Sequence, residues 1–570
     1  MLSKSVLLWA CAVFLTVGVF PFALSIPRTL AQGSEDVSLK ALEILEHNCG
    51  SSGCHGGPSP TSFNVRNPAS LLSAGVVLSG DAEGSELIRR VETGAMPLGG
   101  YKGRPGTKLP AEDIQALRRW IDAGGPALGT PARCVRRRFI PESQVLAAIN
   151  RDLESTPRGD RPYLRYYSLA SLWNSADVEG TELDLCGLAL SKLVNHLSWE
   201  RQITPPKQLG PENTVLRIDL RDYGWTTETW GRIVASYPYG LVARNLREEI
   251  DRIQALSGVR LPYIRADWFI ASASVPPLYH SILQLPPTLK ELEDLLRVDA
   301  EFGVQQNLAA RFGLRNSGVS RNNRAMERHG TIYGAYWKSF DFAGNNPEQN
   351  IFRNPLDLHA DGGEVIFHLP NGLQAYFIAD RQGRRIDEAP VNIVRDKTNP
   401  EDPVVRNGRS CIGCHLNGLN TFQDGVRPTL EARAQALFNL EQALALYPGP
   451  RELDRLLELD NRRFSDALRQ VGDTVAGNGS EPINRVARKY EAALSVSQAA
   501  SDLFVEDPER LQKLIKASIE LQVQGFDQLL GPKGGVKRDS WEQGFGMVAG
   551  YAGIGEFVSP TEPLRFSKRH

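Results

Sequence analysis

The feature that most constrains this chain is Cys411-Ile-Gly-Cys414-His415. Two thiols three positions apart, with an imidazole immediately after the second, match the pattern for covalent attachment of a c-type haem. The spacing lets both thiols reach the vinyl groups on one edge of a porphyrin. The adjacent histidine then turns under the ring and offers a nitrogen to iron. The competing readings are a redox dithiol and half of a zinc site.

A second, wider motif lies near the N-terminus: Cys49-Gly-Ser-Ser-Gly-Cys54-His55. Its extra residues are Gly and Ser, which loop out with little strain. A helical spacing of Leu39, Leu42 and Leu45 leads into it. Met96-Pro97 follows in a Gly-rich stretch, and residues 109–125 read as a short helix with an Ile114, Leu117 and Ile121 stripe. The alternative for this motif is a Cys49–Cys54 disulfide with His55 idle.

The chain has only 7 cysteines and 4 methionines among 570 residues, which excludes a disulfide-dense scaffold and makes each position informative. Lys4 and the apolar stretch of residues 5–24 read as a secretory signal spanning residues 1–31, with an uncleaved membrane anchor as the alternative. The rest is expected outside the cytoplasm, in the periplasm or beyond, in an oxidising compartment. There, Cys134 and Cys186 are candidates for a disulfide. Lys plus Arg is 65 and Asp plus Glu is 66, a net charge of -1 that argues against a nucleic-acid partner.

On Cys54-His55-Gly56, the Gly80 to Leu87 stretch, Met96-Pro97 and the Trp120-Ile-Asp-Ala-Gly-Gly ending, residues 36–127 resemble the class I cytochrome c domains of planctomycete-type exported proteins. The resemblance implies His55 as proximal and Met96 as distal iron ligand, although the four-residue gap between Cys49 and Cys54 departs from the usual two. Met/His ligation fills both axial positions, so such an iron transfers electrons without binding substrate. Through Leu369-Pro-Asn-Gly-Leu-Gln374 and the residues around Cys411, residues 130–570 resemble a region of exported bacterial cytochrome proteins, a likeness that carries no activity with it.

The expected fold is multidomain and mainly α with an α+β middle. Its parts are a helical cytochrome domain (36–127), an α+β domain (130–400), and a second haem region with a helical C-terminal part (401–570). Residues 183–199 read as a helix, 214–220 as a strand, and Thr288-x-x-Glu291 as a capping box opening a helix to about residue 301. Residues 364–379 read as a hairpin turning at Pro370-Asn371-Gly372. Residues 428–447, 451–468 and 484–503 are helical in pattern.

Residues 317–341 concentrate Arg321, Arg324, Arg328, His329, Tyr333, Tyr336 and Trp337. Guanidinium groups pair with carboxylates such as haem propionates. This segment is therefore expected to line the second haem, with His329 as its sixth ligand or as a distal acid/base. His280, His359, His368 and Met547 are the other distal candidates, so bis-His, His/Met and five-coordinate haems all stand.

The expected function is an extracytoplasmic dihaem c-type cytochrome carrying electrons to a redox partner protein. The thioether cysteines are Cys49, Cys54, Cys411 and Cys414, and the iron ligands are His55, Met96, His415 and His329. The alternatives are a dihaem oxidoreductase such as a peroxidase with an open second haem, and a redox-sensing binding protein. No catalytic residue is assigned.

Overall fold

A computed structural model of the chain describes residues 76–78, 80–96, 107–122 and most of 137–557, with scattered positions between 40 and 71. The expected signal segment, Cys54, His55, Cys134 and Arg321 lie outside the described residues. The chain forms two compact units, Met1–Arg133 and Cys134–His570.

In the first unit, α1 (Glu86–Thr93) and α2 (Ala111–Asp122) turn apolar stripes inward. Leu87, Ile88 and Val91 meet Leu117, Trp120 and Ile121 in one core, which also takes Ala41, Ile44 and Leu45. The turn before α1 is tied to the end of α2: Gly80 N–H donates to the Ile121 carbonyl and Ala82 N–H to Asp122 Oδ1. Gly94 ends α1 in the left-handed region at φ 78°, where glycine carries no steric penalty.

The second unit is built on sheets. Strands β1 (Leu164–Ser168), β2 (Lys207–Leu209), β3 (Val215–Asp219) and β4 (Ile264–Arg265) form one sheet in the order β2-β3-β1-β4. Helix α3 (Gly180–His196) lies between β1 and β2 in the chain. Helices α4 (Leu278–Ile282) and α5 (Leu289–Leu296) lead into a five-stranded antiparallel sheet. Its strands are β5 (Ala310–Leu314), β6 (Arg324–Thr331), β7 (Gly334–Asp341), β8 (Gly362–His368) and β9 (Gln374–Asp380), in the order β9-β8-β7-β6-β5. Three helices of the remaining chain position the site: α6 (Arg409–Cys414), α7 (Pro450–Gln470) and α8 (Pro482–Glu491).

The expected mainly α class, with a separate helical C-terminal part, is corrected here. The second unit is α+β, and one continuous core runs from Tyr167 through the five-stranded sheet to Ala549. An amphipathic pattern shows that a helix face is buried but not against what. The C-terminal helices do not pack on one another alone: α8 packs on α3 and on the Ala266–Ala273 helix of the middle region. Local departures have local causes. The Thr288–Glu291 capping box forms, but α5 stops at Arg297, which adopts φ 56°. Residues 428–447 divide into Val426–Glu431 and Leu440–Leu446. The 362–380 hairpin forms where expected, with Gly372 at φ 90° in its turn. Among the described residues no helix is long and apolar enough to cross a membrane.

Face parity in the five-stranded sheet decides which side chains meet. Registered partners point the same way and neighbours alternate. The line Arg328–Trp337–Ile366–Tyr376 therefore shares one face, and the line His329–Tyr336–Phe367–Ala375 the other. Helix α7 is clasped to the first face through Asp460, which is only 3% exposed. Arg328 donates two hydrogen bonds to its carboxylate at 2.9 and 3.0 Å, and the Trp337 indole N–H donates at 2.8 Å. Ala335 N–H donates to His368 Nδ1, so His368 Nε2 donates to the Asp460 carbonyl. Replacing Asp460 with Ala leaves a buried guanidinium unpaired. It should cost about 3–5 kcal/mol, read as a lower urea midpoint with an unchanged slope.

Candidate haem-attachment site

The second Cys-x-x-Cys-His motif begins on a built turn. Asn407 is fully buried. Its amide N–H donates to His280 Nε2 at 2.7 Å, which leaves the proton on Nδ1 facing Asp387 at 3.3 Å. Gly408 then takes φ 87°, and a Cβ there would sit 2.5 Å from the Ser274 carbonyl oxygen. Helix α6 follows at once. Cys411 and Cys414, three positions apart, share one of its sides. A Cβ at Gly413 would sit 2.2 Å from Asn484 Nδ2 of α8, so a side chain there would have to displace the Asn484 amide.

His415 closes the helix. Its N–H donates to the Cys411 carbonyl, and its Nδ1 lies 3.1 Å from the Gly418 carbonyl oxygen. A carbonyl only accepts, so Nδ1 carries the proton and Nε2 keeps a lone pair. Nε2 has no hydrogen-bond partner among the described residues. Burial pushes the His415 pKa down, which favours the neutral ring. The Gly418 carbonyl is itself held in place. Asn461 of α7 accepts from Leu419 N–H at 2.7 Å and donates to the Leu419 carbonyl at 2.9 Å. Gly418 sits at φ 97°, with Asn461 Oδ1 2.4 Å from where its Cβ would be. Tyr376 of β9 forms a wall, its ring 6.1 Å from that of His415 and 29° from parallel.

The thiols are the opposite of reactive. Burial lifts Cys411 well above the ordinary thiol range and pushes Cys414 up to about 12. Among the described residues, no group of three or more His, Cys, Asp and Glu side chains is placed to hold a bare metal ion. A porphyrin brings its own four nitrogens, and the donor set here (two neutral thiols on one helix side and one oriented imidazole) fits a covalently attached haem.

The arginine-rich segment is only partly brought to this site. Arg324 forms ion pairs with Asp341 and Glu364 at 2.6 Å on the motif's face of the sheet. Glu364 is near enough to act electrostatically on Cys411, Cys414 and His415. Arg328 is used by Asp460. His329, expected as a ligand or distal acid/base, is not brought to the motif's face of the sheet. Strand alternation aims it at the opposite face, where its Nε2 pairs with Glu327 Oε1 at 2.9 Å and its Nδ1 abuts Gly303. Strands β6 and β9 are also three spacings apart, about 14 Å.

Of the other distal candidates, His280 and His368 are consumed by the bonds above. His359 lies exposed beside Asp357, and Met547 is 41% exposed. The sequence reading missed His196. Its ring lies 5.8 Å from Tyr376 on an aromatic path that continues to His415, and its Nε2 meets the Tyr279 hydroxyl at 3.1 Å. The polar Lys192-x-x-Asn195-His196 end of an otherwise apolar helix was the available signal. In the first unit, Cys49 is half-buried against the core and Met96 is half-buried just beyond α1. Their proposed companions Cys54 and His55 lie outside the described residues. Cys186 is buried in the second unit's core, and Cys134, its suggested disulfide partner, is likewise outside.

Three buried histidines give a pH signature. Burial lowers His196 to about 3 and His280 and His368 to about 4, against an ordinary value of 6.5. Below that value the unfolded chain binds protons that the folded chain refuses. The contribution of these histidines should be full above about pH 6.5 and fall progressively toward pH 4, partly offset by Glu142, whose carboxyl burial pushes up to about 7 with the opposite slope; chemical denaturation across that range would record the sum. His280→Gln should flatten the slope by up to one proton. No family model matches the chain, and comparisons with curated proteins and with solved structures find no match.

Proposed function

We propose that this chain is an extracytoplasmic dihaem c-type cytochrome that passes electrons to a redox partner protein. One haem would be attached at Cys411, Cys414 and His415. The other would be attached at Cys49, Cys54 and His55, with Met96 as its second axial ligand. The observation that carries this reading is the orientation of His415: its Nδ1 lies 3.1 Å from the Gly418 carbonyl, so Nδ1–H is committed there and Nε2 is left with its lone pair. Histidines that ligate iron are oriented in this way by a bond from the other ring nitrogen. Bound haem supplies a one-electron couple at iron. The chain supplies the two thiols presented by α6, the carbonyl that aims the imidazole, the Tyr376 wall, and the Asn461 contacts that keep the 415–419 turn from relaxing.

A second reading, an oxidoreductase with an open position at the second haem, is favoured by one specific observation. His196, His280, His329 and His368 are all engaged elsewhere, and His359 is exposed beside Asp357. Supplying a sixth ligand from the buried four would break a buried hydrogen bond.

Co-expression with a c-type maturation system should yield two haems per chain by intact mass and pyridine haemochrome. Cys411→Ser with Cys414→Ser should leave one, and a wild-type chain without covalent haem would end the account. Carbon monoxide separates the two readings: a shifted Soret band in the reduced protein means an open second haem, and no shift means two relays.

A further inference from the structure

The aromatic cleft where the loop after α3 meets the β6–β7 hairpin belongs to neither proposed haem. It is a half-open cleft of about 450 Å³, within the range of small-molecule sites. Two half-buried rings form its apolar part. Trp199 is held rigidly: its indole N–H donates to the Leu283 carbonyl at 2.8 Å, and the ring stacks on Phe367 at 6.0 Å and 20°. Tyr333 stands at the hairpin tip, its ring 6.2 Å from Trp199 and inclined at 55°. The tip is fixed by Gly334, which takes φ 136° where a Cβ would meet His368 Nδ1 at 2.7 Å.

Around these rings stand Glu200, Arg201, Gln202 and Asp222. These four side chains make no hydrogen bond or ion pair with the described residues, whereas neighbouring Arg221 is committed to Asp160 and Asp219. The uncommitted set offers both acceptors and donors and carries little net charge. Two carboxylates disfavour phosphates and other anions. Two rings opening at 55° make a bent platform rather than a closed cage for a quaternary ammonium ion. A ligand with a flat C–H face and a rim of groups that both donate and accept fits this lining, and a pyranose ring has that chemistry.

We infer that the cleft between Trp199 and Tyr333 binds a neutral saccharide, with the sugar face on the aromatic rings and its hydroxyls on Glu200, Arg201, Gln202 and Asp222. The inference does not depend on the haem reading. The test is calorimetric titration of the full-length protein with tetrasaccharides of glucose (α- and β-linked), mannose, xylose, galactose and N-acetylglucosamine, and with tetramethylammonium. At least one sugar should bind saturably with Kd below about 1 mM. Trp199→Ala and Tyr333→Ala should each weaken it about tenfold or more, and Arg201→Ala with Gln202→Ala by less. Trp199→Phe, which keeps the packing on Phe367, should retain most of the binding, and melting temperatures of all variants check folding. Saturable binding to none of these sugars would overturn the inference. So would tetramethylammonium binding in their place, or sugar binding that Tyr333→Ala in a normally folded protein leaves unchanged.

Discussion

The arrangement depends on two adjacent residues of one helix. Asp460 ties α7 to the five-stranded sheet through Arg328 and Trp337, and Asn461 ties the same turn of α7 to the segment after His415. One helical turn therefore refers the imidazole to the sheet, and the sheet also carries Tyr376 and Glu364. The clasp is buried, so its hydrogen bonds act in a low dielectric. Each partner left without the other would be costly. That cost is what holds a short loop in one geometry, since a six-residue helix has little intrinsic stability of its own.

Burial does the chemical sorting at the motif. The same desolvation lowers the His415 pKa and raises those of both thiols. Iron ligation by imidazole needs the neutral ring, which it favours. Glu364 adds a negative charge to the same neighbourhood, tempered by Arg324.

Much of the local structure was legible. The 362–380 hairpin follows from alternation broken at Pro-Asn-Gly, α7 from a long 3.6-residue apolar period, and α3 and β3 from their own patterns. The 317–341 segment was misjudged because it was read by composition. Its pairing with the strands on either side makes it a strand, so Arg328 and His329 point to opposite faces, a fact its polar composition does not display. Composition also concealed that the charged residues there satisfy one another: Arg324 with Asp341 and Glu364, Arg311 and His329 with Glu327. The class of the second unit was misjudged for a related reason. Helix period is a strong signal and short strands a weak one, so the sequence shows one strand and one hairpin of the second unit but not the four- and five-stranded sheets they join.

By itself the sequence determined the attachment chemistry under proposal, because two thiols and an imidazole at that spacing are a property of adjacent residues. It also determined most helices and the hairpin, since their periods are local. Only the tertiary structure decided which face of the sheet meets the motif, which histidines are already spent, which carbonyl orients His415, and that Trp199 and Tyr333, far apart in the chain, share one cleft. Most of these depend on strand parity and on contacts between residues far apart in the chain, such as His196 with Tyr376 and Trp199 with Tyr333, which no local pattern encodes.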